Sequence, residues 1–202
     1  MKNKRDFFWL SSFLWLTFFL CSCQTVDTSD VEELPESERI KNEIEILVDA
    51  MALPGSAKLD SVCQRLINYG EEAIPELSKN IENRIPIVRL LSIFCLGQIY
   101  EKTNSSKVLA LKPDFIKRLS DPVDKVRLEA SGTLCIMGEL QGVPFLIEAL
   151  KSETAYVRMI ASQVLFRTFQ MTLNYQYDDD VQNRQEAIIR WEEWWAKNKK
   201  AS

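Results

Sequence analysis

The sequence contains no histidine among its 202 residues. That removes histidine-based triads, most catalytic zinc sites and the commonest general base near neutral pH. Glycine and proline are scarce, at six and seven residues, too few for a low-complexity chain or a turn-rich all-β fold. A net charge of −4 gives no basic footprint, so no nucleic-acid partner is expected. No phosphate-binding glycine loop, serine nucleophile elbow or metal-ligand spacing occurs. The expectation is therefore not an enzyme, with no cofactor and no metal. The acidic run Asp178-Asp179-Asp180 neither alternates its carboxylates nor carries the glycine of a calcium loop. Asp180 is better placed to cap a following helix. What the chain does have, 46% hydrophobic and 27% charged residues, suffices for one globular domain with a sizeable core.

The first 22 residues read as a signal rather than as part of the fold. Lys2, Lys4 and Arg5 precede a mostly apolar run from Phe7 to Leu20, too short to span a bilayer comfortably. The run closes on Leu20-Cys21-Ser22-Cys23. Leu20, Ser22 and Cys23 resemble the lipobox of bacterial lipoproteins, with Leu at −3 and a small residue at −1. That resemblance implies cleavage before Cys23 and acylation of Cys23, hence a membrane partner through a lipid anchor in the bacterial cell envelope. Gln24, not Asp, follows the cysteine, which by the enteric sorting rule points to the outer membrane. The blander alternatives are an uncleaved anchor and a secreted chain with an ordinary cleavage site. Residues 23–38 are then the lipidated cysteine and an acidic stretch interrupted by Pro35, too polar to order itself, and read as a flexible tether.

The body, residues 39–172, is an internal repeat. Val88-Arg89, Val126-Arg127 and Val157-Arg158 are the same dipeptide. Thirteen residues before each valine stand Pro75, Pro113 and Pro144; seven before stand Ile81, Leu119 and Leu150. Ser92, Ala130 and Ala161 follow by four, and Leu96, Leu134 and Leu165 by eight. Such self-similarity is the signature of stacked repeats. Each unit reads as two helices, the first opened by the proline, which suits a first turn. The second starts near Val-Arg, with core positions at offsets 0, 4, 8 and 11. The spacing changes from 38 to 31 residues, and the surplus is expected in a loop at residues 101–107, EKTNSSK. A degenerate copy over 40–70 would cap the array.

The motif resembles HEAT repeats, in the short bacterial form related to phycobilisome-lyase-type repeats. The resemblance implies an all-α fold, an α-α superhelix or short solenoid, with binding or scaffolding as its use. It also implies an acid two residues after the leucine that supports the Val-Arg arginine. Asp121 fits; Asn83 and Ser152 do not, so Arg89 and Arg158 are expected to find other acceptors. Arg89, Arg127 and Arg158 recur with the period and read as a structural ladder. Residues 173–202 read as a loop and one helix, with Ala187, Ile188, Trp191, Trp194 and Trp195 on one stripe. This resembles a Trp-rich extension found on such proteins and would close the last repeat. Cys63, Cys95 and Cys135 fall beside core positions and are expected as buried, reduced thiols.

One stripe of the second helices does not repeat. At 100° per residue, offsets 3, 6 and 10 group apart from the core face. They are Leu91, Phe94 and Gln98; then Glu129, Gly132 and Ile136; then Ile160, Gln163 and Arg167. Packing surfaces repeat their residue types, whereas a surface that carries specificity varies them. These positions are the candidate interaction surface for a protein or peptide partner, unless the array curves so tightly that they pack against neighbouring helices. The expected function is a membrane-anchored adaptor or scaffold of the cell envelope. The alternatives are a structural subunit of a larger envelope complex and a bilin-lyase-like enzyme.

Overall fold

Every proline that marks the period opens a helix. In the computed structural model of the chain, which describes residues 34–53 and 58–199, the helices are α1 (Glu36–Ala50), α2 (Leu59–Tyr69), α3 (Ile74–Asn80), α4 (Pro86–Thr103), α5 (Ser106–Leu109), α6 (Lys112–Arg118), α7 (Asp124–Ile136), α8 (Val143–Ala149), α9 (Ala155–Phe169) and α10 (Val181–Asn198). A 3-10 turn covers Gly70–Glu72. The fold is all-α: among the described residues there is no strand. Pro75, Pro113 and Pro144 sit in the first turns of α3, α6 and α8. The missing N–H of a proline leaves no intrahelical bond unmade there. These short helices end beside Ile81, Leu119 and Leu150.

The turn that follows is built the same way three times. The side chains of Asn83, Asp121 and Ser152 accept the backbone N–H two residues on, from Ile85, Val123 and Thr154, at 2.9, 3.0 and 3.2 Å. Ile85, Val123 and Thr154 are extended and β-branched, a side-chain shape that suits that backbone. They lead directly into α4, α7 and α9. The position two residues after the leucine thus has a shared task, turn closure. Any short side chain with an acceptor oxygen can perform it.

The second helices form the centre of the packing. α4 lies against α2, α3 and α7, and α7 lies against α6, α8 and α9; the α4–α7 contact is the most extensive. Offsets 0, 4, 8 and 11 in α4 are Val88, Ser92, Leu96 and Ile99, all at most 1% exposed. Val126, Ala130 and Leu134 in α7 match them, as do Ala161 and Leu165 in α9. Val157 is half-buried. α7 divides two apolar clusters. Val126, Ala130 and Leu134 belong to the one that runs back to α1, and Leu128 and Cys135 to the one that runs on to α10. Close approach is enforced at Gly142, where a Cβ would stand 2.6 Å from Ser131 Cα.

Two local details differ from the sequence reading. The surplus at 101–107 is mostly helical: α4 continues to Thr103, and only Asn104 and Ser105 separate it from α5. Asn104 ends α4 in the left-handed region, at φ 51°, with its N–H on the Tyr100 carbonyl at 2.8 Å. Val108, fully buried, anchors α5 to the core, so the added residues gain burial that an open loop would lack. The acidic stretch is shorter than 23–38, because Glu36–Glu38 form the first turn of α1, where acids favour the helix dipole. Residues 170–180 are pinned: Tyr175 Oη donates to the Leu150 carbonyl at 2.7 Å. Asp180 then accepts the Asn183 N–H at 2.9 Å, the N-cap of α10.

α10 packs on α8. Ala187, Ile188 and Trp191 are buried, and Trp194 and Trp195 are half-buried against the same cluster. Trp191 Nε1 donates to the Thr172 carbonyl at 3.0 Å, and Phe169 meets Trp194 edge-on at a centroid distance of 4.6 Å. Among the described residues, no helix is long and apolar enough to cross a membrane. Cys23 and the apolar run before it lie outside the described residues.

Candidate functional site

The stripe of unlike residues comes together on one groove. Leu91, Phe94 and Gln98 from α4, Glu129 and Ile136 from α7, and Ile160, Gln163 and Arg167 from α9 line a single open cavity of about 460 Å³. Gly132 lies in the same lining. The bases of Leu91 and Phe94 lean on the first apolar cluster and that of Ile160 on the second. All eight residues therefore face the groove, and three of them also pack inward. Gln163 and Arg167 are exposed; the other six are half-buried.

The groove is longer than the sequence reading made it. Ile87, Lys125 and Tyr156 line it as well, with Ile87 38% and Tyr156 60% exposed at its rim. The signal for them was present. The residue before each Val sits 100° back from it, which falls on the same stripe as offsets 3, 6 and 10. Asp60 and Cys63 of α2 also reach the groove. No periodic signal marked them, because the first copy of the repeat has lost the Val-Arg pair.

Glu129 is the singular group in this lining. At the same offset the flanking units carry Leu91 and Ile160. Its carboxylate makes no hydrogen bond or ion pair with any described residue. Burial pushes its pKa up to about 7. Titratable neighbours come from every adjoining helix: Asp60 and Cys63 on α2, Cys95 on α4, Lys125 on α7 itself, and Tyr156 and Arg167 on α9. Lys125 stands one turn before Glu129 without pairing with it, and Arg167 is engaged by Glu101.

The three repeat arginines make contacts within the chain. Each Nη1 donates to the carbonyl six residues before it: Arg89 to Asn83 at 2.8 Å, Arg127 to Asp121, and Arg158 to Ser152 at 2.8 Å. Each also reaches forward. Arg89 takes both carboxylate oxygens of Asp121, Arg127 lies 5.0 Å from the centre of the Phe145 ring, and Arg158 Nε donates to the Tyr177 carbonyl at 2.8 Å. The pairing within a unit that the resemblance implied is thus replaced. The Asp121 carboxylate serves Arg89 of the preceding unit, and Arg127 pairs with Asp124 instead. The geometric reason is the turn bond, which aims Asp121 back toward α4.

Cys63, Cys95 and Cys135 are free and buried. Hydrogen bonding to Cys63 and burial both push the Cys95 thiol up, and burial pushes Cys135 up to about 11. Cys95 and Cys135 therefore stay protonated and inert, whereas the hydrogen bond with Cys95 lowers the Cys63 thiol despite its burial. Among the described residues, no three acidic or cysteine side chains converge as metal ligands.

No family model matches the chain, and no curated protein matches it.

Proposed function

We propose that this chain is an adaptor of the bacterial cell envelope, anchored through a lipid on Cys23, that binds a protein or peptide partner in the groove across α4, α7 and α9. The observation that carries this reading is the groove itself: three sets of unlike side chains from three like helices line it, with apolar surface left open at its rim. Uniform residues would suffice for packing, and open apolar surface is a usual mark of a binding face.

The same reading takes the helices as a short HEAT-like solenoid. The order of contacts supports it, since α2, α4, α7 and α9 touch in sequence while α1, α3, α6 and α8 partner them. It takes α10 as a Trp-rich cap, because Trp191 completes the apolar cluster of the last pair. Detergent-solubilised envelope provides the test. Because Phe94 and Ile160 also pack inward, the double variant Phe94→Asp, Ile160→Asp is expected to melt earlier but stay folded, and to lose the partner that the parent retains. Partner retained by the folded double variant, or by Tyr156→Glu at the exposed rim should the double variant not fold, would remove this groove as the binding surface. Fatty-acid labelling that is lost in Cys23→Ala tests the anchor, and label retained in that variant would overturn it.

A further inference from the structure

The groove has a chemical polarity that narrows what can fill it. Its walls at the central offset are apolar in the outer units, Leu91 and Ile160, and acidic only in the middle one, Glu129. A carboxylate partly withdrawn from water gains from a cation or a set of donors. Glu129 has neither: no described residue bonds to it. The two cations in the lining leave it unpaired. Arg167 pairs with Glu101, and Lys125 is exposed, one turn before Glu129, in the weaker order for a helical pair. Asp60 adds a second negative charge to the lining.

We propose that the groove receives a short, mainly apolar segment of a partner protein that carries one lysine or arginine, and that this cation pairs with Glu129 at the centre of the groove. The proposal rests on the reading of the groove as the binding surface. Its apolar side chains would lie against Leu91, Phe94 and Ile160, and its cation would supply what the carboxylate lacks. A cavity of about 460 Å³ has room for several side chains, not for a folded domain.

The burial that raises Glu129 also sets a pH signature. The pair needs the carboxylate ionised. With a pKa of about 7, the ionised fraction rises about tenfold from pH 6 to pH 8, and affinity rises with it. Asp60, Cys63, Cys95, Lys125, Tyr156 and Arg167 also face this region, so the signature is assigned to Glu129 only if Glu129→Gln flattens it.

The probe is a random 12-residue peptide library displayed on phage and selected against the full chain in detergent. Selected peptides are expected to combine apolar residues with one lysine or arginine. Synthetic copies with norleucine at that position should bind the parent at least tenfold more weakly, and bind Glu129→Gln as well as the basic peptide does. Peptides without a basic residue, or norleucine copies that bind the parent undiminished, overturn the cation pairing and leave the groove reading standing. No selected peptide at all, or peptides that bind Phe94→Asp, Ile160→Asp unchanged, overturns both. Tyr156→Glu, at the exposed rim, replaces the double variant if that protein does not fold.

Discussion

The guanidinium of Arg89 and the carboxylate of Asp121 meet across the boundary between two helix pairs. Nε donates to Oδ2 and Nη2 to Oδ1, each at 2.8 Å. Arg118 adds a longer contact to the same carboxylate at 3.4 Å, and the Val123 N–H closes the turn on it at 3.0 Å. Burial by itself would raise the Asp121 pKa. The hydrogen bonds from Arg89 and Val123, with the charges of Arg89 and Arg118, outweigh it and hold the carboxyl below its usual range. One side chain thus closes its own turn and secures the preceding pair of helices.

Removing one partner of this pair leaves the other buried without its counter-charge. Asp121→Ala should cost about 3–5 kcal/mol in urea unfolding. The double variant Arg89→Met, Asp121→Ala should cost less than the two single losses added together. Additive losses would show that the two side chains do not act as a pair. A depressed carboxyl pKa stabilises the fold above the ordinary value near 4, and that contribution is lost as pH falls through the folded pKa. Asp121→Ala should therefore flatten the acid limb of the stability profile.

Gly142 and Gly138 give opposite tests of glycine. Gly142 has an ordinary backbone, φ −78°, yet its Cβ would stand 2.6 Å from Ser131 Cα. Gly138 has φ +80° and nothing within 4 Å of a Cβ. Gly142→Ala should lose about 1–3 kcal/mol by pushing α7 from α8. Gly138→Ala should lose about 1–2 kcal/mol through backbone strain alone. Melting curves distinguish them further: Gly138→Asn should lose less than Gly138→Ala, because asparagine tolerates the left-handed backbone, whereas Gly142→Asn should lose at least as much as Gly142→Ala.

Glu129 should make the free protein less stable in mildly basic solution. Its folded pKa, about 7, lies above the unfolded value near 4.5, so between those values the folded state holds the proton more tightly. Stability then falls as pH rises through that window. Because the carboxyl keeps some contact with water, the loss is on the order of 2 kcal/mol. Glu129→Gln should remove this slope and be the more stable protein at pH 8, measured by thermal melts from pH 4.5 to 8. An unchanged slope in the variant would assign it to another group.

Much of the helical layout was legible because its causes are local. A proline tolerated only in a first turn, a valine that returns with a leucine eight residues later, and an aspartate that caps α10 all act within a few residues of chain. The stripe was legible too, since the 100° step of a helix is set by backbone geometry and places Leu91, Phe94, Glu129 and Ile160 on a stripe apart from the fully buried offsets. The same step would have added Ile87, Lys125 and Tyr156. Where the surplus after α4 goes was not legible. EKTNSSK is polar and reads as loop, but the burial of Val108 draws it into helix.

By itself the sequence determined the starts of the helices opened by Pro75, Pro113 and Pro144, the Asp180 cap and the stripe of each second helix that varies, because these follow from short-range sterics and helical periodicity. The tertiary structure alone decided which arginine takes Asp121, that α2 contributes Asp60 and Cys63 to the groove, and that Glu129 stands there without a partner. Those are questions of distance between residues far apart in the chain. Charge pairing and desolvation depend on neighbours that only packing brings together.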